Sequence, residues 1–213
     1  MPWIVPRGGA MAILKEGREY MLAFDPGSTG LLLMDFQNGI VALFGDQGTV
    51  LVERAVRARI AAHKAGMAVM HVRVGLTEAE SAEVPPQNRI FAAAAASRRL
   101  NADDSSTQIV ASLAPAGDEE VFRKRRVGAF STTELGSRLR SRGIDTLVLA
   151  GLSTSGVVLS TLRDGADRDF RILVLSDCCA DPDPEVHHLL MAKVFPRQAE
   201  VILLDDFIAS CQG

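Results

Sequence analysis

Three short stretches carry the side chains that could do chemistry. Asp35 ends the apolar run GLLLMD at residues 30–35, with Phe36 and Gln37 behind it. Lys124 lies in RKRRVGAF, residues 123–130. Ser153, Thr154 and Ser155 follow Gly151 in AGLSTSGVVLST, residues 150–161. An aspartate at the end of a buried strand either caps the next turn or sits in a partly dry cleft with a raised pKa, suited to acid/base work. A lysine beside it would lower that pKa and stabilise an oxyanion. The backbone N–H groups of Ser155, Gly156 and Val157 open a helix and could hold a developing negative charge.

Other chemistries fit less well. GLSTSG nearly imitates the G-x-S-x-G nucleophile elbow, but Ser155 stands where its second glycine belongs. The order Ser153, Asp177, His187 allows a triad on paper, yet His187 falls inside a predicted helix. Cys178 and Cys179 read as small buried thiols ahead of a nucleophile. His71, mid-strand, reads as a packed core histidine. The adjacent His187 and His188 cannot both face one metal from a helix, and no His-x-His or His-Glu-x-x-His cluster occurs, so no metal is expected. With neither a P-loop nor G-x-G-x-x-G, no phosphate or dinucleotide cofactor is expected. The charges around Lys124 (Arg123, Arg125, Arg126) read mainly as a solvated face. They lack the interleaved aromatics that stack bases.

The elements that must position these groups alternate in kind. Strands are predicted over residues 30–35, 67–74, 120–122, 145–150, 171–176 and 201–204. Helices are predicted over 51–65, 131–142, 156–168 and 183–194. Ser131 and Glu134 form a predicted capping box, with Gly143 as the helix stop. Asp183 is a predicted N-cap, with Pro184 at the first helical position. Residues 75–117 are irregular, with a helix expected over 88–100, and read as a flap over the sheet edge. Apolar strands separated by helices imply βαβ units and a parallel sheet. Ligands of such sheets bind beyond the C-terminal strand ends. The expected rim is therefore Asp35, Phe36 and Gln37; Arg73 and Gly75; Lys124; Ser153 to Gly156; and Asp177 to Cys179.

Bulk properties narrow the field. The 213 residues are 47% hydrophobic and 23% charged, with a net charge of −3. That composition is of a globular chain, and its charge disfavours a nucleic-acid partner. No apolar run approaches a membrane span. Three cysteines without zinc-type spacing suggest reduced thiols in a cytoplasm. Residues 1–10, MPWIVPRGGA, read as part of a loose arm, with Met11 an alternative start.

Taken in order, TGLLLMDFQNGIV, KRRVGAF and AGLSTSGVVLSTLRDGADRDFRILVLSDCCAD resemble the isochorismatase-like superfamily, also called the cysteine hydrolases. The resemblance spans about residues 28–205. It implies an α/β fold, a three-layer αβα sandwich with a mainly parallel six-stranded sheet. The organisation expected is an arm over 1–20 and one hydrolase domain over 21–213. Asp35 would be the motif aspartate and Lys124 the catalytic lysine, with Phe130 six residues on. Typical members activate a cysteine six residues after the loop glycine and form a thioester. Counting from Gly151 reaches Val157, whose side chain cannot be a nucleophile. The family's cis peptide bond would fall between Ser153 and Thr154. True isochorismatases also lack the cysteine, carry glycine there, and are thought to use the aspartate as an acid. Val157 would narrow that pocket.

The metal site of nicotinamidase-type members has no match. The resemblance thus implies a small-molecule hydrolase without cofactor and a homo-oligomer, either dimer or tetramer, in the cytoplasm that the cysteine usage suggests. Asp35 and Lys124 would act without a covalent intermediate. Ser153, Thr154, Ser155, Gly156, Gln37 and Phe130 would line the substrate site. The alternative is an inactive member of the same fold that binds a small molecule.

Overall fold

The computed structural model describes residues 23–212, so the predicted arm lies outside the described residues. In chain order the elements are β1 (Thr29–Met34), α1 (Asn38–Val41), α2 (Gly45–Lys64), β2 (Ala68–Val74), α3 (Glu78–Ala82), α4 (Arg89–Ala96), β3 (Glu120–Lys124), α5 (Leu135–Ser141), β4 (Thr146–Leu152), α6 (Leu159–Ala166), β5 (Arg171–Ala180), α7 (Pro184–Leu189), β6 (Glu200–Ile202) and α8 (Leu204–Ser210). The six strands form one sheet in the order β3-β2-β1-β4-β5-β6, and every pairing is parallel. This is the doubly wound order. Its direction reverses between β1 and β4, the point where sheets of this order form a ligand crevice beyond the C-terminal strand ends.

Alternation along each strand sorts side chains between two layers. Leu31 and Leu33 of β1, Val148 and Ala150 of β4, and Leu173 and Leu175 of β5 face one core. That core also contains Leu51, Ala55, Ala58 and Ala62 of α2 and Phe207 of α8. The small alanine stripe of α2 falls at helical spacing and lets the helix lie close on the sheet. Leu32, Met34, Leu147, Leu149, Ile172 and Val174 face the other core with Leu135 and Leu139 of α5 and Leu162 of α6. Each fully buried Leu or Val contributes roughly 1.5–3 kcal/mol. At the crevice the two central strands approach closely. A Cβ on Gly151 would come within 2.8 Å of the Met34 carbonyl oxygen, so only glycine fits there.

Several boundaries differ from the sequence expectation. The capping box at Ser131 and Glu134 does not form. Ser131 Oγ donates to the Gly128 carbonyl, and α5 starts only at Leu135, whose N–H donates to Thr133 Oγ1. The capping box that does form is Thr77 with Glu80, at the start of α3. Strand β5 does not stop at Ser176. Two steps along β4 (Leu149 to Gly151) face five along β5 (Val174 to Cys179), so a bulge carries the strand on to Ala180. The predicted last strand ends at Ile202, and Leu204 opens α8 instead. Asp183 caps α7 as expected, accepting N–H bonds from Glu185 and Val186, with Pro184 at the first position. Residues 75–117 do pack over the rim, where Leu76 and Phe91 join Val74 and Val127.

Candidate active site

Asp35 leaves the end of β1 with φ at 59°, in the left-handed region where aspartate is among the less disfavoured residues. Its N–H still donates to Val72 O at 2.8 Å, and its carbonyl accepts from Gln37 N–H at 2.7 Å. Lys124 ends the edge strand β3, two strands away from β1. Its Nζ lies 2.9 Å from Asp35 Oδ2 and 3.3 Å from the Arg126 carbonyl oxygen. Both residues are almost enclosed, at 4% and 2% exposure. The second carboxylate oxygen, Oδ1, is buried and has no hydrogen-bond partner. Burial pushes the Asp35 carboxyl above the usual carboxylate range, and the Lys124 ammonium beside it opposes that shift without cancelling it.

The loop after β4 contains a cis peptide bond, Leu152–Ser153. It lies one residue earlier than expected. A wide helical turn, Thr154–Val158, follows and runs into α6. Of the three N–H groups expected to cradle an anion, two are engaged within the protein. Ser155 N–H donates to Asp181 Oδ2 at 2.7 Å, and Gly156 N–H donates to Ser153 O at 3.2 Å. Asp181, just past the extended β5, is therefore the acid at this part of the rim. Asp177 stays inside β5 and turns away. Its Oδ1 accepts from Leu204 N–H at 2.8 Å, and Arg54 lies against it on the α2 side. The Ser153, Asp177, His187 triad is thereby ruled out, because His187 Nδ1 lies 2.8 Å from Thr154 Oγ1 instead. Burial pushes the His187 imidazole below its ordinary value, with Asp181 pulling it back up.

Other expected site residues serve the protein itself. The Gln37 amide is used on both sides. Nε2 donates to Val74 O at 2.8 Å and to Thr107 O at 2.6 Å, while Oε1 accepts from Val74 N–H at 2.8 Å. It ties β1, β2 and the flap together beside Asp35. Phe130 stacks on Phe170 at 6.0 Å, with the Arg168 guanidinium 4.9 Å above its ring, inside the second core. Val157 is 2% exposed and packs in that same core, with Met34 and Ala129 among its members. Cys178 and Cys179 are buried, and burial pushes both thiols up, Cys179 to about 12. Of the basic run, Lys124 alone points inward. Arg123 pairs with Glu80 of the flap, and Arg126 lies over the Phe91 ring at 5.4 Å. Among the described residues, no cluster of three histidines, cysteines or acids could hold a metal, and no helix is long and apolar enough to cross a membrane.

A domain model described as the Isochorismatase domain matches residues 29–206. The chain belongs to the isochorismatase family. It is 32% identical over 202 residues to YecD of Escherichia coli O157:H7, described as an uncharacterized isochorismatase family protein; the match covers 88% of this chain and 98% of that one. To the ureidoacrylate amidohydrolase RutB of Methylorubrum extorquens it is 32% identical over 199 residues, 84% of this chain and 80% of that protein. A solved cysteine hydrolase from Pseudomonas syringae superposes with a TM-score of 0.80 at 21% identity, over 89% of this chain and 94% of that chain. It shares the isochorismatase-family fold, a parallel six-stranded sheet between two helical layers.

Within this family member, one acid beside the loop, Asp181, and one bond, Thr154 to His187, were not read from the sequence. Asp181 had a local signal in the run Asp181-Pro182-Asp183-Pro184, which marks a strand end and a helix start. The bond from Thr154 to His187 had none, because its partners lie 33 residues apart.

Proposed function

We propose that this isochorismatase-family chain hydrolyses a small metabolite without a covalent intermediate, with Asp35 as general acid/base and Lys124 as its electrostatic partner. One observation carries the reading. Asp35 has one oxygen held by Lys124 and the other buried with no partner. A bare buried carboxylate oxygen is costly unless something docks there, and it suits a water or a substrate N–H. Val157, counted as the family's cysteine position, offers no thiol to fill that place. Water then takes the nucleophile's role. Asp35 Oδ1 removes a proton from the water as its oxygen bonds to the carbonyl carbon. The carbon–nitrogen bond breaks, and Asp35 passes the proton to the leaving nitrogen, so acid and amine are released and the carboxylate is restored. Lys124 offsets the charge that develops on the carbonyl oxygen. Amides and ureido compounds are the first substrates to try, since one relative is named a ureidoacrylate amidohydrolase.

The test is a screen of amides, ureido compounds and vinyl ethers with Asp35→Asn as the control. Turnover should disappear in the variant, and acid-quenched wild-type protein should show no acyl adduct by mass spectrometry. Unchanged turnover in Asp35→Asn overturns the mechanism. A second reading, binding without turnover, draws on the near-complete enclosure of Asp35 and Lys124. Tight binding of one screened compound with no product would favour it.

A further inference from the structure

The two residues that follow Ser153 are both gripped from the β5–α7 side. Thr154 is fully buried, and its hydroxyl has His187 Nδ1 at 2.8 Å. Ser155 donates its N–H to Asp181 Oδ2, while Asp181 Oδ1 accepts from Asp183 N–H at 3.3 Å. Asp183 is in turn the N-cap of α7. The start of α7 is thus tied to the loop twice, through Asp181 and through His187. A buried hydroxyl needs a partner, and a neutral imidazole can accept at one nitrogen while donating at the other.

We propose that His187 is a positioning residue for the reaction: its Nδ1 accepts the Thr154 hydroxyl and so fixes the loop of residues 152–156 at the crevice where Asp35 and Lys124 meet. Protonating the ring turns that acceptor into a donor, so the Thr154 proton must turn elsewhere and the loop loosens. The inference rests on Asp35 and Lys124 as the reacting pair for its effect on turnover, but not for the bond itself. The charged groups around the ring are few. Asp181 faces it from the end of β5, and His188 from its own helix. Asp183 caps α7 and Glu185 lies in its first turn, Lys193 lies beyond its end, and the Thr154–Val158 turn carries no charged side chain. Burial, the largest influence, keeps the ring neutral at neutral pH, and Asp181 only moderates this. The hold is therefore present above the ordinary histidine range and is lost as pH falls below it.

The experiment is nitrogen NMR of the full chain labelled at histidine, from about pH 8 to about pH 5, with amide hydrogen exchange of residues 154–158 followed in parallel. His187 should appear as the Nε2–H tautomer, and amide protection should fall as the ring protonates. In His187→Asn, the side-chain oxygen replaces Nδ1 as an acceptor that does not titrate, so protection should persist across the range. In His187→Leu it should be reduced roughly tenfold at every pH, as loss of about one hydrogen bond requires. An Nδ1–H tautomer, or exchange indifferent to the His187 titration, overturns the proposal. If the leucine variant does not fold, the asparagine comparison still decides. Once a substrate is known, His187→Asn should remove the His187 contribution to the acid limb of the kcat profile and leave the part set by Asp35, while Asp35→Asn removes turnover. Full activity in Asp35→Asn with a pH-dependent loop would defeat the proposed function and leave this inference standing.

Discussion

Two buried carboxylates in this protein meet opposite fates. Glu119, just before the edge strand β3, has a side chain 1% exposed and receives four donors. Arg59 Nε and His63 Nε2 reach Oε1 at 2.6 Å each, while His71 Nε2 at 2.9 Å and Ala116 N–H at 3.0 Å reach Oε2. Burial pulls its pKa up, but Arg59, Ala116, His71 and His63 together hold it at about 2. Asp35, at the other end of the neighbouring strands, has a single side-chain donor and one bare oxygen, and there burial wins. The first carboxylate is saturated and cements α2 to β2 and to the loop before β3. The second is left unsatisfied, a loss of stability that the proposed chemistry at Asp35 would account for. Burial alone separates nothing here; the number of donors does.

The sharpest way to break this comparison is to neutralise each acid in turn. Asp35→Asn should lower turnover roughly 100- to 10,000-fold, the range of a lost acid/base group. Next, Val157→Cys would place a thiol at the position counted from Gly151 as the family's cysteine. Val157 is 2% exposed in the second core, so the new thiol should label with iodoacetamide more slowly than the half-buried Cys211. Glu119→Gln should do the reverse of Asp35→Asn. Stability should fall by roughly 2–3 kcal/mol, because Arg59 and His71 lose a charged partner in a buried place, while turnover per folded molecule is kept. If instead Glu119→Gln costs turnover and Asp35→Asn costs only stability, the roles are reversed.

Proton linkage gives a finer test. The Glu119 contribution is fully present above its ordinary value near 4.5 and is lost as pH falls toward 2. Glu80, which Arg123 together with the Thr77 cap holds near 2, acts in the same direction. Asp35 has the opposite sign: its raised pKa favours the folded state when it is protonated, and that advantage is lost as pH rises past its ordinary value near 3.8. Acid unfolding of Glu119→Gln should therefore show a shallower acid limb than the parent. Asp35→Asn should gain stability relative to the parent as pH rises.

Much of the fold was legible because the apolar runs are strand-length and the helices between them carry clear spacing. The pairing of Asp35 with Lys124 was legible through their places at strand ends and in the motifs that resemble the family. What escaped reading depends on contacts distant in sequence or on competition between equal local signals. Ser131 with Glu134 and Thr77 with Glu80 share one spacing, and only packing decides that the second becomes a cap. The polar residues Ser176 and Asp177 look like the end of a strand, yet the bulge accommodates them through Ile202 O and Leu204 N–H, contacts made by another strand and helix. Helix α8 has no side-chain cap to announce it. Gln37 looked like a ligand contact because it follows Asp35. Its partners Val74 and Thr107 lie 37 and 70 residues away, and only the folded chain reveals that its amide is fully engaged.

The smallest expected effect concerns the native thiols. Cys178 and Cys179 lie one strand from the loop, so a thiol nucleophile there would account for turnover without any special role for Asp35. Their burial argues against it: both are nearly inaccessible, and neither thiol ionises near neutral pH. Cys211 is half-buried, with its thiol pushed to about 11, and should be the first to label, slowly. Native protein treated with iodoacetamide should keep full turnover, and peptide mapping should find Cys178 and Cys179 unmodified. Cys178→Ala and Cys179→Ala should each cost on the order of 1 kcal/mol, the loss of a small buried side chain, with kcat unchanged. Alkylation of either residue in the folded protein together with loss of activity would transfer the chemistry to sulfur. The bare oxygen of Asp35 would then be a thiol's base and not a water's.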